Sequence, residues 1–286
     1  MSLAAQVYAE QLLPKGHGFP LWIPEPSSQF GEILLGDVGY IWDGSFFRLF
    51  NVTLPRGHPV NRRGVPEGFE HLEYDLDAAV RKVDRYLEQG SICSQSVKRT
   101  NITMQGGANT GSAGALAGLR FACSRDRGGL LVLNDAASQE IFQPYYQAVI
   151  DYMLQYHDSW YEFALRKGLQ IPREEIIMVR GHVKTSQWAV AAFVDASRNQ
   201  EIVFQAQAGP LATLSLAVAR SDEHSMSVDH RSGQTRRNSG DAIMSDSEDV
   251  DMTAQSQLPS QDQCVFVSRY KIRHRKYPWR KIRAAG

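Results

Sequence analysis

The chain carries Gly181-His182-Val183-Lys184-Thr185-Ser186-Gln187-Trp188 between two apolar segments. A histidine, a lysine and two hydroxyls in one short stretch are the residue types of acid–base and nucleophilic chemistry. His182 and Lys184 are therefore the candidate catalytic residues, in the role of a hydrolase or transferase. The same residues are ordinary turn material, with Trp188 anchoring the strand that follows. A triad would also need an acid and a nucleophile, and the sequence does not place His157, Asp158 or Asp195 beside His182. The enzymatic and the structural reading both stay open.

Two other chemistries find less. Gly106 to Gly111 has glycines at the phosphate-loop interval, but Ser112-Ala113 stand where Lys and Ser/Thr would reach a nucleotide. Gln105 to Gly114 reads as a flexible hairpin tip, and a membrane-active, pore-forming-like protein is one alternative it allows. Cys93, Cys123 and Cys264 have no metal-ligand spacing, and the eight histidines are scattered. No metal and no cofactor is expected. The paired carboxylates of Glu70 to Glu88 and Glu174-Glu175 read as solvated faces.

The strongest signal is cationic. Arg269, Lys271, Arg273, Arg275, Lys276, Arg280, Lys281 and Arg283 fall within fifteen residues, interleaved with Tyr270, Tyr277 and Trp279. Such a segment neutralises phosphates and stacks on bases, and Arg273, Arg275, Lys276, Trp279, Arg280 and Lys281 are its candidate contacts. An anionic lipid surface and nuclear import fit it too. So does a plainer reading, in which Arg269, Lys271 and Arg273 are the solvated face of a strand and only Arg275 onward is a free tail.

Just before it, Ser221 to Gln263 holds nine acids against three arginines and no Phe, Tyr or Trp. Such a composition cannot offset the entropy of ordering, so an acidic, disordered insertion is expected. Ser239 follows Arg236-Arg237 at a basophilic-kinase interval, and Ser245 and Ser247 lie among acids. These three are the candidate phosphorylation sites, where added charge would strengthen masking of the cationic segment.

Overall the charges cancel: 31 basic and 31 acidic residues in a chain of 286, with 43% apolar. That is a globular composition. Three distant cysteines suit a reducing compartment. No secretory leader is expected from the opening residues, and no run of about 20 apolar residues occurs in the sequence, so a cytoplasmic location is expected, with nuclear entry open.

The elements that must hold these residues read as follows. Pro14 to Phe30 is extended, pinned by Phe19 and Trp22. Gly36 to Leu54 is a hairpin turning at Asp43-Gly44. Leu76, Val80, Val83 and Leu87 have helical spacing, which predicts a helix over Leu72 to Gln89. The longest helix is predicted over Pro144 to Lys167, ended by Gly168. Strands are expected at Val97 to Met104, Leu116 to Ala122, Leu130 to Leu133, Glu175 to Val183, Trp188 to Val194, Glu201 to Gln207, Leu211 to Ala219 and Cys264 to Ile272.

Three stretches together carry a resemblance: Gly18-Phe-Pro-Leu-Trp-Ile-Pro-Glu-Pro26 with Gly36-Asp-Val-Gly39; His157-Asp-Ser-Trp160-Tyr-Glu-Phe163 with Ile177 to Trp188; and Gln263 to Tyr270. The chain resembles a family of uncharacterised intracellular proteins from mushroom-forming (basidiomycete) fungi. The resemblance implies one continuous domain interrupted by the insertion, and brings no activity or site residues. Arg180 and His182 depart from it.

The expected architecture is α+β: a single domain with a mainly antiparallel sheet, one long packed helix and a disordered acidic insertion before the last strand. Its parts are a body (1–220), the insertion (221–263), the last strand (264–274) and a basic C-terminal tail (275–286). The leading function is non-enzymatic, an interaction or regulatory protein whose basic end contacts nucleic acid or an acidic protein surface.

Overall fold

The computed structural model describes residues 2–104, 116–194, 200–205, 217–220, 228–233, 260–273 and 281–285. In chain order the elements are α1 (Leu3–Leu12), β1 (Phe19–Pro20), β2 (Asp37–Trp42), β3 (Ser45–Asn51), α2 (Leu76–Ala79), β4 (Val80–Leu87), β5 (Gly90–Cys93), β6 (Val97–Met104), β7 (Leu116–Cys123) and β8 (Arg127–Leu133). There follow β9 (Ala137–Phe142), α3 (Gln147–Arg166), β10 (Ile177–Thr185), β11 (Trp188–Val194), β12 (Gln200–Gln205), β13 (Ala217–Arg220), β14 (Val228–Ser232), β15 (Gln263–Arg273) and β16 (Lys281–Ala285). The protein is mixed α and β, and every strand pairing among the described residues is antiparallel.

The largest sheet runs β1-β15-β10-β2-β3, with β16 on β15 and β9-β4 on β10. Strand β10 is its axis. One edge pairs with β15 along almost its whole length. The other edge holds β2 at Ile177 and Met178, then β9 from Gly181 to Lys184. A bulge at Arg180 marks the fork where these partners separate. Two four-stranded sheets, β14-β11-β8-β5 and β13-β12-β7-β6, complete the strands.

Burial follows this layering. Helix α3 lays Val149, Tyr152, Met153, Trp160, Phe163 and Ala164 over Val38, Phe50, Met178 and Tyr270 of the large sheet. Phe121, Cys123, Ile202 and Phe204 pack against Leu130, Val132, Ala191 and Phe193, so the two smaller sheets face each other. The other side of β8 and β11, through Leu131, Leu133, Val190 and Ala192, meets α1 together with Val183 and Phe266. Alternation along β8 and β11 thus feeds two cores at once.

Several local expectations are corrected. Only Leu76–Ala79 of the predicted Leu72–Gln89 helix is helical; Val80–Leu87 is strand β4, paired with β9. Its apolar residues meet a neighbouring strand instead, with a register shift between Val83 and Leu87. Helix α3 begins at Gln147 rather than Pro144, because Tyr145 takes a left-handed φ of 67°. Gly168, at φ 77°, ends it, with Leu169 N–H donating back to the Ala164 carbonyl at 3.0 Å.

The stretch 221–263 is not uniformly without structure, since Val228–Ser232 is strand β14 on β11. Nor is the basic segment simply a tail, since Lys281–Ala285 returns as β16 on β15. The Asp43-Gly44 turn has positive φ at both residues, 49° and 78°, the geometry a two-residue hairpin needs. Asn51, which opens an Asn-Val-Thr triplet of the N-glycosylation type, is fully buried.

Candidate functional site

Strand β15 is embedded for most of its length and leaves the sheet at its end. Ile177, the first residue of β10, stands opposite Lys271, so Ile272 and Arg273 pair with β16 alone. The register is Arg269↔Ala285, Tyr270↔Ala284, Lys271↔Arg283, Ile272↔Ile282 and Arg273↔Lys281. Tyr270 and Ile272 are buried in the α3 core. Strand alternation puts Arg269 and Lys271 on the opposite face, and the backbone register brings Arg273, Lys281 and Arg283 to the same sheet margin.

Lys271 is itself paired: Glu175, in the short turn Arg173–Glu175 before β10, puts Oε1 2.9 Å from Lys271 Nζ. The same carboxylate acts on Arg269, whose pKa is pulled down by burial and partly restored by Glu175. The Arg269 guanidinium lies 4.3 Å above the Phe19 ring, and its Nε has no hydrogen-bond partner among the described residues. Arg180, at the bulge, lies 5.5 Å from the Tyr270 ring centre.

Of the sequence-derived contacts, Arg273 and Lys281 are backbone partners in the β15–β16 register. Arg275, Lys276, Trp279 and Arg280 lie outside the described residues, as do Ser239, Ser245 and Ser247. Glu175 went unrecognised, because a charged pair such as Glu174-Glu175 looks solvated until β15 is laid beside it.

His182 and Lys184 sit in a strand rather than a turn, because β10 runs to Thr185 and only Ser186-Gln187 makes the reversal. Both are buried. His182 Nε2 is 3.7 Å from Glu140 Oε2, and its Nδ1 has no partner among the described residues. Burial first, then the charges of Lys184 and Lys82, hold the His182 pKa down at about 3. An imidazole that weakly basic stays neutral and is a poor proton acceptor near neutrality. Lys184 Nζ is bound 2.8 Å from Glu32 Oε2. The two hydroxyls turn elsewhere: Thr185 Oγ1 donates to the Asp135 carbonyl at 3.1 Å and Ser186 Oγ to the Asp135 carboxylate. A cavity of about 20 Å³ near the Pro24–Ser27 segment and an open groove beside Arg56, Phe69, Glu70, His71 and Glu73 have neither His182 nor Lys184 in their walls.

Among the described residues no group of three or more His, Cys, Asp or Glu is arranged to hold a metal ion. The fold and site define a mixed α/β protein with a cationic ribbon at a sheet margin. Compared with known proteins, the chain matches no protein-family model, no curated sequence and no solved structure.

Proposed function

We propose that this is a non-enzymatic interaction protein whose β15–β16 ribbon contacts an acidic partner, either nucleic acid or an acidic protein surface. The carrying observation is the register that sets Lys271 against Arg283 and Arg273 against Lys281. A chain segment that gathers positive charge at a sheet margin is stabilised when a polyanion covers it. Kinship with the mushroom-forming-fungal family belongs to this proposal and adds no activity to it. The test is a pull-down from cell lysate with the full chain and with an Arg273→Gln/Lys281→Gln variant, each with and without nuclease. Partners lost with the charges support the ribbon; partners indifferent to the variant move the function to another surface.

A membrane-active role is the second reading, favoured by one topological fact. Gln205 pairs with Gly118, so β6–β7 and β12–β13 open at the same end of their sheet, where residues 105–115 and 206–216 connect them. Neither connection contains a charged residue. No helix among the described residues is long and apolar enough to cross a membrane, a fact that leaves strand-based insertion open. Dye release from anionic liposomes would support this reading, and intact liposomes would remove it.

A further inference from the structure

We propose that the Ser27–Gly31 turn, the Arg62–Arg63 pair and Lys167 form a binding site for a phosphomonoester group. The site lies apart from the β15–β16 ribbon and does not depend on that reading.

The turn is closed on itself. Ser27 and Gly31 exchange both backbone hydrogen bonds, at 3.1 and 2.7 Å, and Gly31 supplies a left-handed φ of 70°. Ser27 Oγ accepts from the N–H groups of Gln29 at 3.2 Å and Phe30 at 3.3 Å. Two adjacent arginines then grip two adjacent residues of its tip. Arg62 Nη2 donates to the Gln29 carbonyl at 2.9 Å, and the Arg63 guanidinium lies 4.5 Å above the Phe30 ring. From the end of α3, Lys167 Nζ donates to the Arg63 carbonyl at 2.6 Å. Arg62, Arg63 and Lys167 are exposed, as is Ser28 at the tip.

None of these contacts neutralises charge. Among the described residues no carboxylate lies within ion-pair distance of Arg62, Arg63 or Lys167. The flanking acids Glu25, Glu32 and Glu67 pair with other cations, namely Arg231, Lys184 and Arg166. A guanidinium stacked on a ring keeps its N–H edge free for an anion, and Arg62 engages only one nitrogen at Gln29. The side-chain groups gathered here are donors without a charged acceptor. One arginine fork suffices for a carboxylate, whereas three cations match a dianion with three terminal oxygens. The Ser28 hydroxyl, one residue before Gln29, adds a further donor.

The experiment is an NMR titration of the full chain, read at the arginine side-chain N–H resonances. The probes are inorganic phosphate, sulfate, and a short serine peptide with and without a phosphate on its serine. Expected is saturable binding of the phosphopeptide that strengthens from about pH 5 to about pH 7, because its second ionisation falls near 6. Sulfate, a dianion throughout, shows no such rise. Arg63→Gln weakens binding about tenfold. Lys167→Gln, which removes a side chain that donates to neither Gln29 nor Phe30 and so leaves the turn in place, weakens it by up to about fivefold. Thermal melts show that each variant is folded. Absent binding, or binding unmoved by both substitutions, overturns the site. An unphosphorylated peptide or sulfate that binds as well as the phosphopeptide at pH 7 overturns its preference for phosphomonoesters. Phosphopeptide binding tighter than that of inorganic phosphate supports the site and makes its source a modified protein side chain; equal binding supports the site and makes the source a small free phosphate.

Discussion

Arg48 grips Asp37 through two parallel bonds, Nε to Oδ1 at 2.6 Å and Nη2 to Oδ2 at 2.7 Å, with both side chains buried. The same guanidinium donates to the Phe30 and Glu32 carbonyls, and Asn51 and the Leu34 N–H complete the carboxylate's partners. Lys184 holds the Glu32 side chain from the other side. This network ties the segment before β2 across the fork of the large sheet.

Removing Arg48 therefore strands a buried carboxylate. Arg48→Met is expected to destabilise the protein by about 3–5 kcal/mol, and adding Asp37→Asn to recover part of the loss. Urea unfolding of the two variants checks both; an effect below about 1 kcal/mol would show that the pair is not held as described.

His182 makes stability depend on acid. Its imidazole is held at about 3 in the fold against 6.5 for the free side chain, so between those values unfolding takes up a proton. Its contribution is complete above 6.5 and is lost progressively as pH falls toward 3. The loss is on the order of a few kcal/mol across the range. His182→Gln should flatten that part of the curve, and urea midpoints at about pH 7 and about pH 5 read it directly.

Gly233 controls how the 221–263 stretch is anchored. Its N–H donates to the Trp188 carbonyl at 2.8 Å, and a Cβ there would come within 2.4 Å of Trp188 Nε1. Gly233→Ala should cost about 1–3 kcal/mol locally and loosen β14 from β11. The measurement is limited proteolysis, with faster cleavage around Val228–Ser232 and unchanged cleavage in α1.

Much of the fold was legible where a residue's neighbours in sequence are also its neighbours in space. The Asp43-Gly44 hairpin and the Gly168 terminus follow from local backbone preference. The short apolar runs of β8, β10 and β11 mark buried strands by their length and composition. The segment Leu72–Gln89 was misread for the opposite reason: Val80, Val83 and Leu87 fit a helix until β9 supplies Phe142, Gln139 and Ala137 as partners. At the site, the density of cations was visible in the sequence. Their pairing Lys271↔Arg283 and Arg273↔Lys281, and the approach of Glu175 from a turn nearly one hundred residues earlier, were not.

The sequence by itself determined the long helix and the central apolar strands, the concentration of positive charge after Cys264 and the acidic character of the stretch before it, because these depend on composition and short-range periodicity. Only the tertiary structure decided that Val80–Leu87 is a strand, that β10 forks between β2 and β9, that His182 is buried and neutral, and that the basic segment doubles back as β16 on β15. Each of these depends on which distant strand supplies the hydrogen bonds. That choice is made by burial of the whole chain, not by any stretch of it.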